Sequence, residues 1–128
     1  MKSYKVDLNI IAPKEIEEDE ICSIFDNIVY FIDDKTIHKN KIWIFDFELN
    51  QEFSIEKQVE IIGLHVSKDK LKNLLLKNIK VEFDVRIYYD TYTCSFALSS
   101  RCLSLGKKIV QDIEFNFSLY PTDFQKEK

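Results

Sequence analysis

Glycine is nearly absent from this sequence of 128 residues, which contains only Gly63 and Gly106. Phosphate-binding loops, dinucleotide fingerprints and the sharp turns that hold catalytic nucleophiles need several glycines at fixed spacing, because their backbone adopts positive φ or touches the ligand. Each glycine here lies alone in a stretch with helical periodicity. The sequence therefore lacks the glycine motifs of these nucleotide-binding and hydrolytic proteins.

Histidine is almost as scarce, with only His38 and His65. Either side chain could act as a general base, but neither has a serine, cysteine or carboxylate at a catalytic spacing. We interpret both histidines as structural or solvent-facing. An enzyme that uses carboxylates such as Asp46 and Glu48 is a third hypothesis. We predict no catalytic residue and no enzymatic activity.

The cysteines, Cys22, Cys94 and Cys102, are odd in number and show no paired spacing. Each lies among apolar neighbours, which predicts buried, reduced thiols of a cytoplasmic protein. A structural zinc site needs closely clustered ligands, and three scattered cysteines with two distant histidines do not supply them. We therefore expect no metal ion and no cofactor.

Long apolar runs and basic stretches are also missing. No run approaches the ~20 residues that span a bilayer, and the N-terminal residues lead into an alternating strand without a signal-peptide core. Arginine, the preferred reader of bases and phosphates, occurs only at Arg86 and Arg101, and the net charge is −4. We expect neither a membrane nor a nucleic acid partner, and the acidic balance favours a basic protein partner.

Regular apolar patterning, by contrast, runs through the whole chain. Alternation predicts strands at 4–10, 28–32, 43–49, 81–89, 92–98 and 113–119, with a polar loop at 33–40. Helical spacing predicts helices at 13–25, at 54–76 with Ser54 as its cap and a second capped turn from Ser67, and at 99–109 with Ser99 or Ser100 as its cap. We predict one α+β domain over residues 1–121 and a polar tail at 122–128. The order β-α-β-β-α-β-β-α-β predicts a two-layer sandwich, with helices on one face of a mixed sheet of five or six strands.

The strands at 81–89 and 92–98 are predicted to form a hairpin that turns at Asp90-Thr91. In that register Val85 faces Phe96 in the core, and Arg86 lies on the opposite, polar face.

Four segments together carry a family resemblance. They are the opening strand Val6 to Ile10 with its following helix, the aromatic strand at Trp43, the amphipathic helix from Ser54 to Leu76, and the run from Cys94 to Tyr120. In this pattern the chain resembles a bacterial family catalogued as domain of unknown function 4279. Members usually carry Pro-Thr and Lys-Gly between the first helix and the tryptophan strand, where this chain has neither proline nor glycine. The resemblance implies the same fold. It also implies a toxin-immunity role, because the relatives resemble small cytosolic proteins encoded beside secreted bacterial toxins.

Eight polar or aromatic residues are candidates for contacting a partner: Glu17, Glu18, Asp19, Glu20, Asp33, Asp34, Arg86 and Tyr88. The acidic stretch 17–20 could bind a basic toxin, or it is a solvated helix start favoured by the helix dipole. The pair at 33–34, with Glu48, could bind a metal ion or a lysine-rich loop, or it forms a polar turn. Arg86 and Tyr88 are residue types enriched at binding hot spots, or they make cross-strand contacts on an open sheet face.

These observations favour a non-catalytic protein-binding domain, most concretely a bacterial immunity protein that neutralises a cognate toxin. We expect the toxin to be a basic domain. The alternative is a small-molecule or regulatory binding domain that uses the exposed sheet face. A toxin gene next to this one would favour the first hypothesis, and a metabolic operon would favour the second.

Overall fold

A computed structural model of the chain describes residues 2–25, 35–37, 40–90, 99–110 and 113–121. The elements within these ranges are β1 (Lys2–Pro13), α1 (Glu18–Cys22), β2 (Lys35–Ile37), β3 (Asn40–Asp46), α2 (Ile55–Leu64), α3 (Lys68–Leu75), β4 (Lys80–Tyr89), α4 (Ser100–Ile109) and β5 (Glu114–Pro121).

The described strands form one mixed sheet in the order β2–β3–β1–β4–β5. The central strand β1 runs antiparallel to both β3 and β4. Strand β5 is parallel to β4, and α4 lies between them in the chain, as a parallel pair requires a crossover. The predicted α+β class with a mixed open sheet is confirmed. The predicted number of strands and order of elements are not confirmed, since the segments 28–32 and 92–98 lie outside the described residues.

The hairpin predicted between 81–89 and 92–98 is wrong in the free edge that it required of 81–89; the segment 92–98 itself lies outside the described residues. Both edges of β4 are already paired, to β1 on one side and to β5 on the other, across the positions that the hairpin needed. Val85 is buried as predicted, but its neighbours across the strands are Val6 and Phe117.

Strand β1 is longer than predicted and changes where the first helix begins. It continues to Pro13, opposite Asn40. The helix predicted over 13–25 is therefore shorter and covers only α1, Glu18–Cys22. Proline is tolerated there because the end of a strand needs no further ladder N–H. The segment predicted as a polar loop at 33–40 is also wrong in part, since Lys35–Ile37 pairs with β3.

The helical region predicted over 54–76 consists of two helices, α2 and α3, and α3 begins just after Ser67, where a second capped turn was predicted, although the Ser67 side chain makes no capping hydrogen bond. Ser54 caps α2 as predicted, its Oγ accepting a hydrogen bond from the Lys57 N–H at 3.1 Å. Helix α2 ends at Leu64; beyond it Val66 pairs with Phe25 in an isolated bridge, and the Ser67 N–H donates to the Ile24 carbonyl at 2.7 Å. These contacts with the segment after α1 replace helical hydrogen bonds and separate the two helices.

One face of the sheet and the helices share a single hydrophobic core. The strand residues in it are Val6, Leu8, Ile10, Ala12, Trp43, Phe45, Val81, Phe83, Val85 and Ile87; the helices contribute Ile21, Ile55, Val59, Ile62, Leu71, Leu74, Cys102 and Ile109. Burial of this face leaves the alternate positions of the strands to form a polar face. Among the described helices, none combines the length and the apolar composition needed to cross a membrane.

Candidate functional site

Three aspartates form a row across the polar face of the sheet. Asp7 on β1 lies directly opposite Asp46 on β3 and directly opposite Asp84 on β4. The row follows from strand alternation, because each aspartate lies between two buried apolar residues in the sequence. Aspartate is depleted in strands, and like charges directly opposite each other are destabilising. The row therefore needs compensating charge.

Lys5 and Arg86 supply that charge from the adjacent row, where they face each other across β1 and β4. The Lys5 Nζ lies 2.5 Å from Asp46 Oδ1, and the Arg86 Nη2 lies 2.7 Å from Asp7 Oδ2. Each cation thus holds one carboxylate at hydrogen-bond distance. Lys5 also lies 3.8 Å from Asp7 Oδ1, beyond hydrogen-bond distance.

Asp46 is the best-compensated member of the row. Its Oδ1 accepts from Lys5 and, at 2.8 Å, from the backbone N–H of Glu48, which adopts a positive φ of 53° just after β3 ends. Burial raises the pKa of Asp46, but these two hydrogen bonds outweigh it and the net shift is downward.

Asp7 is the most buried member, with only 3% of its side chain exposed. Burial raises its pKa above the ordinary value, although the charges of Lys5 and Arg86 partly offset the effect. Its Oδ1 and the Arg86 Nε are buried without a hydrogen-bond partner. Buried polar atoms without a hydrogen-bond partner are uncommon and lower the stability of the fold. Asp7 Oδ1 and Arg86 Nε therefore mark a place where the protein by itself leaves hydrogen bonds unmade.

Asp84 is the uncompensated member. It makes no ion pair and no side-chain hydrogen bond with any other described residue. Burial raises the pKa of this carboxyl, while the charge of Arg86 partly offsets the effect and that of Glu82 adds to it. The polar face therefore contains one half-buried carboxylate that is available to a partner.

These side chains surround a concavity of about 400 Å³, lined by Lys5, Asp7, Ile44, Asp46, Asp84, Arg86 and Tyr120. All of these described lining residues belong to strands. Tyr120 stacks on Tyr88 with ring centroids 5.3 Å apart. The concavity is thus a charged hollow with an aromatic pair at one side, a surface that can bind by charge, hydrogen bonding and ring contact. The described residues bring together no group of three or more His, Cys, Asp or Glu side chains that could hold a metal ion.

The predicted partner-binding residues are distributed over two regions. Arg86 and Tyr88 lie at the concavity, Arg86 as one of its lining residues and Tyr88 through its stack on Tyr120. The acidic stretch 17–20 lies at the start of α1, where the Glu20 carboxylate pairs with Lys77. Asp33 and Asp34 lie outside the described residues, as does His38.

Sequence reasoning missed Asp7 and Asp84 as site residues, and also Lys5 and Tyr120. A signal was present: charged residues occupy the middle of the polar face in three separate strands, where β-propensity disfavours aspartate. The strand register that makes them neighbours could not be read from the alternation.

Comparison with known proteins places no relative beside this chain. No family model matches it, and neither a curated protein nor a solved structure does. The resemblance to domain of unknown function 4279 stays a prediction.

Proposed function

We propose that this protein is a non-catalytic protein-binding domain, most concretely a bacterial immunity protein that neutralises a cognate toxin in the cytoplasm. The polar sheet face is the binding surface. The observation that carries the proposal is the charged concavity with the Tyr88–Tyr120 pair beside it.

The residue types at this concavity favour protein recognition. Tyrosine and arginine are enriched among the residues that dominate binding energy. Arg86 is held by its hydrogen bond to the buried Asp7, and the two tyrosine rings hold each other by stacking. Side chains that are ordered before binding lose less conformational entropy when a partner arrives, which strengthens association.

Charge supports a basic partner. The chain has a net charge of −4, and the described residues of the concavity contain three carboxylates against two cations. A basic toxin domain would be attracted to this surface, so association should slow as salt rises while dissociation changes less.

Co-expression with the product of the adjacent gene tests the proposal directly. We expect the two proteins to copurify and this chain to protect cells from the toxin. Arg86→Ala and Tyr88→Ala should weaken copurification, whereas Arg101→Ala, which replaces an arginine paired with Glu56 and Glu60 on the helices, should not. Absence of both copurification and protection would overturn the proposal.

Charge reversal on α1 tests the other predicted surface in the same assay. Replacing Glu17, Glu18 and Asp19 by lysine changes exposed side chains on the first turn of the helix. If only these changes abolish copurification, the protein-binding function holds and the interface is the acidic helix.

A small-molecule or regulatory ligand is the second candidate function. The volume of the concavity falls within the range typical of small-ligand sites, about 300–1,000 Å³. Native mass spectrometry of the purified protein distinguishes the two: a bound mass that disappears in Arg86→Ala favours a small ligand.

A further inference from the structure

We infer that the concavity accepts one arginine side chain of the protein partner, with the carboxylates of Asp84 and Asp7 as the acceptors. The inference deepens the proposed function, on which it rests, by naming the partner group that enters the site.

The charge balance of the concavity leaves one carboxylate for the partner. Lys5 engages Asp46 and Arg86 engages Asp7, each at hydrogen-bond distance, so both cations of the described lining are in use. Asp84 has no such partner among the described residues. A single positive charge from outside would neutralise the row.

The unmade hydrogen bond of Asp7 points to the same place independently. Its side chain is almost completely buried, lines the concavity, and has a second oxygen, Oδ1, without a hydrogen-bond donor. A ligand that donates to this oxygen would remove the cost of an unsatisfied buried acceptor. The group that the partner inserts must therefore be a hydrogen-bond donor as well as a cation.

Register selects a guanidinium over other cations. Asp7 and Asp84 are directly opposite each other on adjacent antiparallel strands, where Cβ atoms lie roughly 4.5–5.5 Å apart. The planar fork of a guanidinium carries five N–H donors and can bridge two carboxylates, which a compact ammonium does less well. The Tyr120 ring at the side of the concavity can receive the flat face of the same group. An anionic ligand would meet three carboxylates instead.

Titration of the isotopically labelled protein with N-acetyl-arginine amide tests this inference without the partner. We expect saturable shifts of β4 and β5 backbone signals around Asp84 and Tyr120. N-acetyl-citrulline amide, which has nearly the same shape without the charge, should bind at least about tenfold more weakly. Asp84→Asn should abolish the shifts. Asp69→Asn, the same chemical change at an exposed site on α3, should leave them unchanged.

In the probe titration, the inference is overturned by no saturable shift with the arginine probe, by equal shifts with the citrulline probe, or by unchanged binding to Asp84→Asn. The probe comparison uses the unaltered protein, so it does not depend on the folding of a variant. A calcium titration that shifts the same signals while the arginine probe does not would assign the site to a metal ion and also overturn it.

The partner assay separates this inference from the proposed function. If the adjacent gene product copurifies equally with Asp84→Asn and the unaltered protein, the function holds and the arginine site is wrong. If the arginine probe binds at Asp84 but no adjacent product copurifies, the arginine site holds and the immunity function is wrong.

Discussion

At the scale of single residues, one carboxylate of the polar face, that of Asp84, lowers the stability of the folded protein. Asp46 is well compensated by hydrogen bonds, whereas Asp84 keeps a raised pKa because burial is not balanced by a partner. Perturbed titratable groups are frequent at functional sites, where stability is often lower than it could be.

Asp84→Asn should therefore stabilise the protein, by about 0.5–1 kcal/mol near neutral pH. The pKa of Asp84 is higher in the folded than in the unfolded state, so its ionisation disfavours folding above that raised pKa. The advantage of the variant should shrink as the pH falls through the raised pKa and the wild-type carboxyl takes up its proton. Urea unfolding of both proteins across pH measures this. A variant less stable than the wild type at neutral pH would show that Asp84 has a stabilising partner.

Cys102 is expected to react slowly with thiol reagents in the native state. It is only 1% exposed, and burial, with a smaller contribution from the charge of Glu56, raises its pKa to about 11. Little reactive thiolate is present at such a pKa, and the reagent cannot reach it. Peptide mapping after timed labelling should find Cys102 modified only after unfolding, whereas the half-buried Cys22 is modified earlier. Native labelling of Cys102 as fast as that of Cys22 would contradict its burial.

Residue types were easier to predict from the sequence than residue partners. Alternation correctly put Arg86 on the polar face and Val85 in the core, because strand geometry fixes the side on which each residue lies. It could not show that Asp7 faces Asp84, since those residues are brought together by pairing between strands far apart in the chain.

At the scale of elements, the two glycines have different tasks. A Cβ on Gly106 would lie 3.0 Å from Phe115 Cζ, so α4 sits directly on β5. A Cβ on Gly63 would lie 3.4 Å from Ile109 Cδ1, an ordinary contact between α2 and α4.

Gly106→Ala should destabilise the protein by about 1–3 kcal/mol, and Gly63→Ala should be neutral or stabilise it by up to about 1 kcal/mol. The ring of Phe115 has little room to move away from a new methyl group, because it is stacked on Phe83 and on Phe117. At Gly63 the greater helix propensity of alanine is gained without a clash. Denaturant melts of the two variants give the comparison. Equal effects of the two changes would contradict the close approach of α4 to β5.

A buried side chain joins α2 to the sheet. Gln58 Oε1 accepts a hydrogen bond from the Val6 N–H at 3.0 Å, and its Nε2 donates to the carbonyls of Tyr4 and Phe53. The pairing of β1 with β3 ends at Asp7, so this amide supplies the hydrogen bonding on that edge of β1 beyond the end of β3, while β4 pairs with the other edge.

Gln58→Leu should cost about 2–4 kcal/mol, because it leaves three backbone groups without their partner at a position where the side chain is buried. Gln51→Leu makes the same change at an exposed position and should alter stability by less than about 0.5 kcal/mol. Thermal unfolding of both variants measures the difference. A Gln58→Leu protein as stable as the Gln51→Leu protein would show that the amide hydrogen bonds contribute little.

The elements themselves were mostly predictable where local signals decide them. Ser54 caps α2 as expected, and Ser99, one of the two serines expected to do so, caps α4, since the capping hydrogen bond involves residues only three apart. The hairpin prediction failed at the edge of β4 that it required, because β5 occupies that edge in a parallel pairing that no local motif signals.

At the scale of the whole molecule, β1 is the organising strand. It is the central strand of the described sheet and pairs with β3 over 7–13 and with β4 over 2–11. Its apolar residues Val6, Leu8 and Ile10 are among the least exposed in the core.

Amide hydrogen exchange should accordingly be slowest in β1 and β4. The amide of Leu8 lies in the middle of the sheet, in a strand that is paired on both edges and buried in the core, so its exchange should require global unfolding. Amides in α3, whose Lys72 and Asn73 are exposed, should exchange through smaller openings. Exchange monitored by NMR under native conditions gives the order. Slower exchange in α3 than in β1 would contradict the central role of the strand.

The placement of β1 has a consequence for how the protein matures on the ribosome. β1 leaves the exit tunnel before the other strands described here, yet its partner β4 begins only at Lys80. While the residues between them are being synthesised, the edge of β1 that pairs with β4 has no hydrogen-bonding partner. Closing a loop over this separation is slow. The nascent chain therefore exposes an unpaired, aggregation-prone strand until β4 emerges. We expect chaperones to protect the chain most during this interval.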